Sequence, residues 1–430
     1  MDEIKRVIAH HYGDVQKTVL EHVKDPRRKR SAKYSISELV LACVYMYMMR
    51  SGSRNSVNEE GQFNQFKRNY RAIFGLKLPH MDTVDDLFEK LDDVFLEGLK
   101  VRLIKRLLHQ RVLHKFRFKG KYFIVAIDGT GIYKFEKPPY DGCPHKVSKN
   151  GKITYHQPVV EAKLVCSNGF SISLGTEFVT NSDGKEKQDC EYNATVRILE
   201  KLKLHFPRLP MMIVLDGLYA KDPIMKAITS NEWQFGIVWK DKTLYDLQAI
   251  IGQQIEQCKL KSYNKTRFTS KNQRVECTYT YSGHSMDYKG NVLYYAGVTE
   301  TTITIEPDKS QAKTQYKYLI STPPDSENIQ ALVEANRMRW KIENEGFNVQ
   351  KNNGFELHHK MNRHNLNAIK NYYHCLQMAD IFNQLIILCK NTCIEAYGST
   401  MKMWEYFCSE LRILDQYNPQ PTTNKINLRY

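Results

Sequence analysis

Two short apolar runs in this chain each end on an acid followed by glycine. Residues 123–127 lead into Asp128-Gly129, and residues 212–215 lead into Asp216-Gly217. One Asp-Gly pair after a strand makes a turn. Two of them, at the C-terminal ends of core strands, put both acids where open α/β sheets form their functional crevice. Neighbouring carboxylates raise each other's pKa unless a cation sits between them. Hard oxygen donors suit Mg²⁺, with Mn²⁺ as a substitute, and two such ions drive phosphodiester displacement by activating one oxygen and stabilising another. A third carboxylate completes such a pair of sites.

The late stretch "NRMRWKIENEGFNVQK" supplies candidates. Arg339, Glu343 and Phe347 lie four apart and share one helical face, with Lys351 two turns beyond Glu343. An exposed i,i+4 ion pair accounts for Arg339 and Glu343 equally well on spacing alone. "CPH" at Cys143 to His145 is half a zinc pattern with no second pair at ligand spacing.

The elements that must position these residues follow from periodicity. Residues 1–118 read as a helical N-terminal region, with Ser37 as an N-cap and Leu87, Leu91, Phe95, Leu99 and Leu103 on one helix face. Within it, "DPRRKRSAK" sets Arg27, Arg28, Lys29 and Arg30 in a compact basic run, either solvated or on phosphates. Residues 119–241 change to strands in the order β-β-β-α-β-α-β, an α/β mixed sheet covered by helices. Residues 242–321 are Thr- and Tyr-rich and read as an all-β insertion. Residues 322–414 return to helices, and residues 415–430 form a loose tail.

The chain has 430 residues and a formal net charge of +16, from 63 Lys plus Arg against 47 Asp plus Glu. That balance favours a polyanionic partner, DNA before a membrane. The longest apolar stretch, residues 39–49, is too short to span a bilayer, and no apolar leader opens the chain. Ten scattered cysteines fit reduced thiols, so a cytoplasmic protein, on the nucleoid when bound to DNA, is expected.

Taken together, "AIDGTG", "IVLDGLYA" and "RWKIENEGFNVQK" resemble DDE transposases of the insertion-sequence-4 family, from about residue 121 to 378. The resemblance implies a ribonuclease-H-like sheet carrying two Asp, an all-β insertion, and a helix bearing the third acid. It implies Asp128, Asp216 and Glu343 as catalytic ligands of two Mg²⁺ ions, with Arg339 and Lys351 against the DNA backbone. It further implies an N-terminal DNA-binding domain, a homodimer on the terminal inverted repeats, and cut-and-paste transposition: water frees a 3′-hydroxyl, which then attacks DNA. The family's helix signature is Tyr, two residues, Arg, three residues, Glu, six residues, Lys. Here Asn336 stands at the Tyr position, and Gln350 at the Lys position with Lys351 one place late. That offset makes Glu345 a rival to Glu343. The two acids lie about 160° apart around a helix, so only one can face the site; the spacing from Arg339 selects Glu343. Haloacid-dehalogenase phosphatases also carry an Asp-Gly-Thr, but Ala126 occupies the place of their nucleophile. A domesticated descendant that binds DNA without catalysis is the alternative, and three intact acids favour the enzyme.

Overall fold

The computed structural model describes residues 2–28, 32–181, 190–240, 247–269, 273–304, 311–389 and 394–413. Six helices come first: α1 (Asp2–His22), α2 (Ile36–Met48), α3 (Arg54–Glu60), α4 (Asn64–Phe74), α5 (Met81–Phe88) and α6 (Asp93–His109). The N-cap of α2 is Ser35, not the expected Ser37. Ser35 accepts from the Glu38 N–H while the Glu38 carboxylate accepts from the Ser35 N–H, a reciprocal cap that Ser37 lacks the spacing to make. The apolar series from Leu87 to Leu103 spans two helices rather than one. Asp92 captures the Val94 N–H and starts α6 afresh, because a local side-chain acceptor competes with continuation of the helix.

The strands begin with β1 (Phe123–Phe135), β2 (His145–Val147), β3 (Ile153–Val165) and β4 (Ser171–Phe178). Then come α7 (Glu191–His205), β5 (Met211–Leu215), α8 (Asp222–Thr229) and β6 (Gln234–Val238), the order expected apart from the added short β2. β3 runs antiparallel to β1 and to β4, while β1, β5 and β6 run parallel to one another. Both faces of the parallel part are covered. Val125, Ile127, Ile213 and Leu215 pack with α7 and α8, and the alternate residues Ile124, Ala126, Met212 and Val214 face the other way.

Residues 242–321 correct the expected insertion in two respects. They contain a helical segment, a π turn at Gln248–Gly252 running into α9 (Gln253–Gln257), before β7 (Lys261–Thr269), β8 (Gln273–Tyr281), β9 (Met286–Tyr288), β10 (Asn291–Thr304) and β11 (Gln311–Ile320). They also extend the same sheet. β11 pairs antiparallel with β6, so the strand order is β2-β3-β1-β5-β6-β11-β10-β8-β7, with β4 on β3 and β9 on β10.

A continuous helical rod follows, formed by α10 (Ile329–Arg337), a tight 3-10 turn at Met338–Trp340, a π segment at Ile342–Phe347 and α11 (Asn348–Asn352). Ile329, Leu332, Val333, Ile342 and Phe347 of this rod cover the face of Ile124 and Val214. The buried α12 (Leu366–Ile387) packs on α2, α5 and α6, which joins the N-terminal helices to the core of the sheet, and α13 (Thr400–Ile413) packs on α4. Residues 415–430, with Lys29 and Arg30, lie outside the described residues. Among the described residues no helix is long and apolar enough to cross a membrane.

Candidate active site

Asp128 is not at a strand end. β1 continues to Phe135 on the ladder with β3, but the parallel ladder with β5 stops at the pair Ile127–Leu215. Asp128 and Asp216 are therefore the next residues on two strands that have just parted. They continue the even-numbered series of Ile124, Ala126, Met212 and Val214, the face covered by the late helical rod. The same rod carries Glu343, so strand alternation and one helix bring the three acids to one place.

Each acid has a cation. Arg339 Nη1 stands 3.3 Å from Asp128 Oδ2 and 3.0 Å from Glu343 Oε1, and Lys240 Nζ stands 2.8 Å from Asp216 Oδ1. Arg339 is only 3% exposed and its guanidinium stacks 4.3 Å from the Trp340 ring. The Gly129 N–H donates to Asp128 Oδ1 at 2.9 Å, which fixes that carboxylate's rotamer. Burial raises the Asp128 pKa to about 6; the Gly129 hydrogen bond and Arg339 oppose the rise, and the charges of Glu343 and Asp216 add to it. Glu345 faces elsewhere, paired with Lys341 at 2.8 Å.

A π segment lies between Glu343 and Lys351. In the π segment the Asn348 N–H bonds the Glu343 carbonyl five residues back, which absorbs about one extra residue. On an unbroken α-helix Lys351 would sit about 80° around the axis from Glu343; with one residue absorbed the offset shrinks to about 20°. The Lys351 ammonium rests 5.8 Å from the Phe347 ring. At the position where the resemblance calls for Tyr, Asn336 is buried, donates to the Leu332 carbonyl and lies against Gly236 of β6 so closely that a Cβ there would overlap it. A Tyr would not fit that contact.

The basic run is divided. Arg27 forks onto its neighbour Asp25 at 2.7 Å and donates to the Tyr34 carbonyl at 2.8 Å, while Arg28 is exposed. Lys29 and Arg30 are the two that lie outside the described residues.

Three features of the site escape a reading of the sequence. Lys240 lies two residues past the end of β6, the third parallel strand, close to where the ladder between β1 and β5 stops. Glu191 opens α7 with its carboxylate against Gly129. A groove of about 1370 Å³ runs from Glu191 and Tyr219 along β1, lined by Lys134, Lys146, Lys360 and three histidines.

The donor set is all carboxylate oxygen, which fits Mg²⁺ or Mn²⁺. As they stand, no three His, Cys, Asp or Glu side chains among the described residues are grouped tightly enough to hold a metal ion. Arg339 and Lys240 hold the carboxylates instead, so an ion would replace those contacts. No family model matches this chain, and no curated protein matches it.

Proposed function

We propose that the chain is a DDE transposase of the insertion-sequence-4 kind, which cuts and joins DNA at the ends of its own mobile element. The observation that carries this reading is the convergence of Asp128, Asp216 and Glu343 from two strands and a helix onto Arg339 and Lys240. Three antiparallel strands followed by two parallel ones, joined through helices, support a ribonuclease-H-like sheet.

In this reading Asp128, Asp216 and Glu343 would hold the Mg²⁺ ions. Bound, such ions supply an activated water and neutralise charge on the leaving 3′ oxygen. Gly129 keeps Asp128 aimed through its N–H, and Arg339 balances the charge of Asp128 and Glu343. Lys351, near the same face of the rod, and the lysines of the adjoining groove receive phosphates, contacts that position DNA without reading its sequence.

The test is cleavage of labelled duplexes carrying the DNA that flanks the gene, in Mg²⁺ and in Mn²⁺. Strand breaks with free 3′-hydroxyls are expected from the parent, and binding without breaks from Asp128→Asn and Asp216→Asn. Binding without cleavage by the parent itself would identify the domesticated DNA-binding alternative. Absence of DNA binding sinks both readings.

A further inference from the structure

The added strand β2 turns the end of the sheet into an arm. β1 and β3 run on past the pair Asp128–Glu161, and β2 joins β3 beyond them through a tight turn at residues 148–152. That turn closes on its own hydrogen bonds. The Gly151 N–H donates to the Ser148 carbonyl at 2.9 Å, and the Ser148 N–H donates to the Lys152 carbonyl at 3.0 Å. The Lys152 N–H donates to Ser148 Oγ at 3.0 Å. Gly151 takes a φ of 75°, the left-handed position that a short hairpin loop gives to glycine. The arm is set in shape before any partner arrives.

Two separate features of the arm point to a partner. The first is charge. Lys146, Lys149 and Lys152 are exposed, and the chain from Pro144 to His156 contains no acid. None of the three lysines makes an ion pair among the described residues. Lys146 also lines the groove that leads to the acids, together with Lys134, His156 and Lys360. The second feature is apolar. Val147 and Ile153 oppose each other across the arm and are 62% and 45% exposed. Lysines alone would keep an open sheet edge from pairing with another chain. An exposed β-branched pair beside them works against that purpose, and fits a partner that is anionic but carries apolar surface of its own.

Duplex DNA offers both. Its major groove has phosphates on the walls and thymine methyl groups on the floor, and it admits a two-stranded β-ribbon. The reach agrees. At about 3.3 Å per residue, β3 runs on the order of 30 Å from Glu161, beside Asp128, back to Lys152, close to the roughly 34 Å of one duplex turn. An arm of that length and the acids meet the same side of a duplex.

We propose that the β2–β3 hairpin lies in the major groove of duplex DNA about one helical turn from the acids, with Lys146, Lys149 and Lys152 on phosphates and Val147 and Ile153 against the base edges. This rests on the DNA reading above and adds to it the place and the groove at which the duplex is held.

The test is duplex binding by the full chain in EDTA, read by fluorescence anisotropy across a salt series, so that neither metal nor cleavage enters. Melting temperature is the folding control, and the changed side chains are exposed, so parent-like melting is expected. Changing Lys146, Lys149 and Lys152 together to Ala should flatten the slope of log affinity against log salt by about 2 or more. The parent should bind an alternating dA·dT duplex about threefold or more tightly than its dA·dU counterpart, which lacks only the thymine methyl groups. Val147→Ser with Ile153→Ser should keep the parent slope and erase that preference. A parent-like slope in the lysine variant overturns the arm and leaves its lysines as protection for an open sheet edge. A parent without the dA·dT preference, or a preference that survives the two serine changes, overturns the major-groove contact. No duplex binding by the parent overturns the arm together with the DNA reading itself.

Discussion

A single nitrogen of Arg339 serves two acids from different elements, 3.3 Å from Asp128 on β1 and 3.0 Å from Glu343 one turn further along its own rod. The ion pair with Glu343 has the i,i+4 spacing of an ordinary surface pair, but Arg339 is buried and the Asp128 side chain is 20% exposed. Its removal leaves carboxylates uncompensated in a poorly solvated place, which costs more than a surface pair. Glu343 is 36% exposed on its side chain, which discounts the buried-pair figure. Arg339→Ala is therefore expected to lose about 1–3 kcal/mol of stability in EDTA. The guanidinium and a divalent cation compete for the same oxygens, so Mn²⁺ should raise the melting temperature of the variant more than that of the parent. Equal shifts would mean that Arg339 and the cation do not share those oxygens.

The raised pKa of Asp128 makes a second prediction, with a definite sign. Its folded value of about 6 lies above the ordinary 3.8, so between those values the folded state holds more protons than the unfolded one. The contribution of this group to stability is greatest below about pH 4, falls as pH rises to about 6, and is flat above that. An ionised Asp128 thus costs stability at neutral pH. Asp128→Asn should stabilise the protein in EDTA at pH 8 by on the order of 1–3 kcal/mol and by little at pH 4. Chemical denaturation at the two pH values reads this directly; a gain independent of pH would contradict it.

That the three acids lie near one another was legible because strand alternation and helical spacing are short-range properties, although Asp128 is inside β1 and not at its end. Asp128 and Asp216 needed only their own runs, and Arg339 with Glu343 only a four-residue step. Long-range partners were not legible. Nothing local ties Lys240 to Asp216, Glu191 to Gly129 or Asn336 to Gly236, since these contacts depend on which strand neighbours which. The break between α5 and α6 was missed because both helices happen to continue one apolar spacing, and only the Asp92 cap separates them. The union of β11 with β6 was missed because composition reports strand content and says nothing of pairing. The π segment between Glu343 and Lys351 was not legible, since helical spacing alone assumes an unbroken α-helix.

The rod that carries Glu343 is anchored from below by buried charge. Lys163 of β3, fully buried, sits 3.5 Å from Asp380 of α12 and donates to the side-chain amide oxygen Oε1 of Gln377 at 3.0 Å. Gln350 of the rod donates to the same Asp380 carboxylate at 2.6 Å, and the Lys163 ammonium lies 5.9 Å from the Phe347 ring. Asp380→Leu leaves Lys163 unpaired in the core and should cost about 3–5 kcal/mol. Lys163→Met with Asp380→Leu should cost less than the single Asp380 change, since no orphan charge remains. Denaturant midpoints of the singles and the double decide this, and strictly additive losses would remove the pair from the account.

Glu343 and Glu345 are separated by their partners. Glu343 shares Arg339 with Asp128, whereas Glu345 is closed into a pair with Lys341. If Glu343 is a metal ligand, as proposed, its loss is expected to slow cleavage at least about 100-fold, and loss of the Glu345 pair only a few-fold. Rates for Glu343→Gln and Glu345→Gln on the same flanking DNA test the assignment. The reverse pattern would transfer the role to Glu345.

DNA contacts of the N-terminal helices should come from α4 rather than from Arg27. Phe66, Tyr70 and Phe74 bury one face of α4, which turns Lys67, Arg68 and Arg71 outward, and Lys77 and Lys33 flank them around a hollow of about 490 Å³ with no carboxylate in its lining. Lys67, Arg71 and Lys77 make no ion pair among the described residues. A cation without an acid partner can neutralise phosphate and release a counterion at no loss elsewhere. Arg27 is already held by Asp25 and the Tyr34 carbonyl, so a phosphate would have to displace both. Changing Lys67, Arg71 and Lys77 to Ala should weaken binding to any duplex alike. It should flatten the slope of log affinity against log salt by about 0.9 for each phosphate contact removed. Arg27→Ala should leave the slope as it was. An unchanged slope in the triple variant, with a fall in Arg27→Ala, would return the phosphate contacts to the basic run.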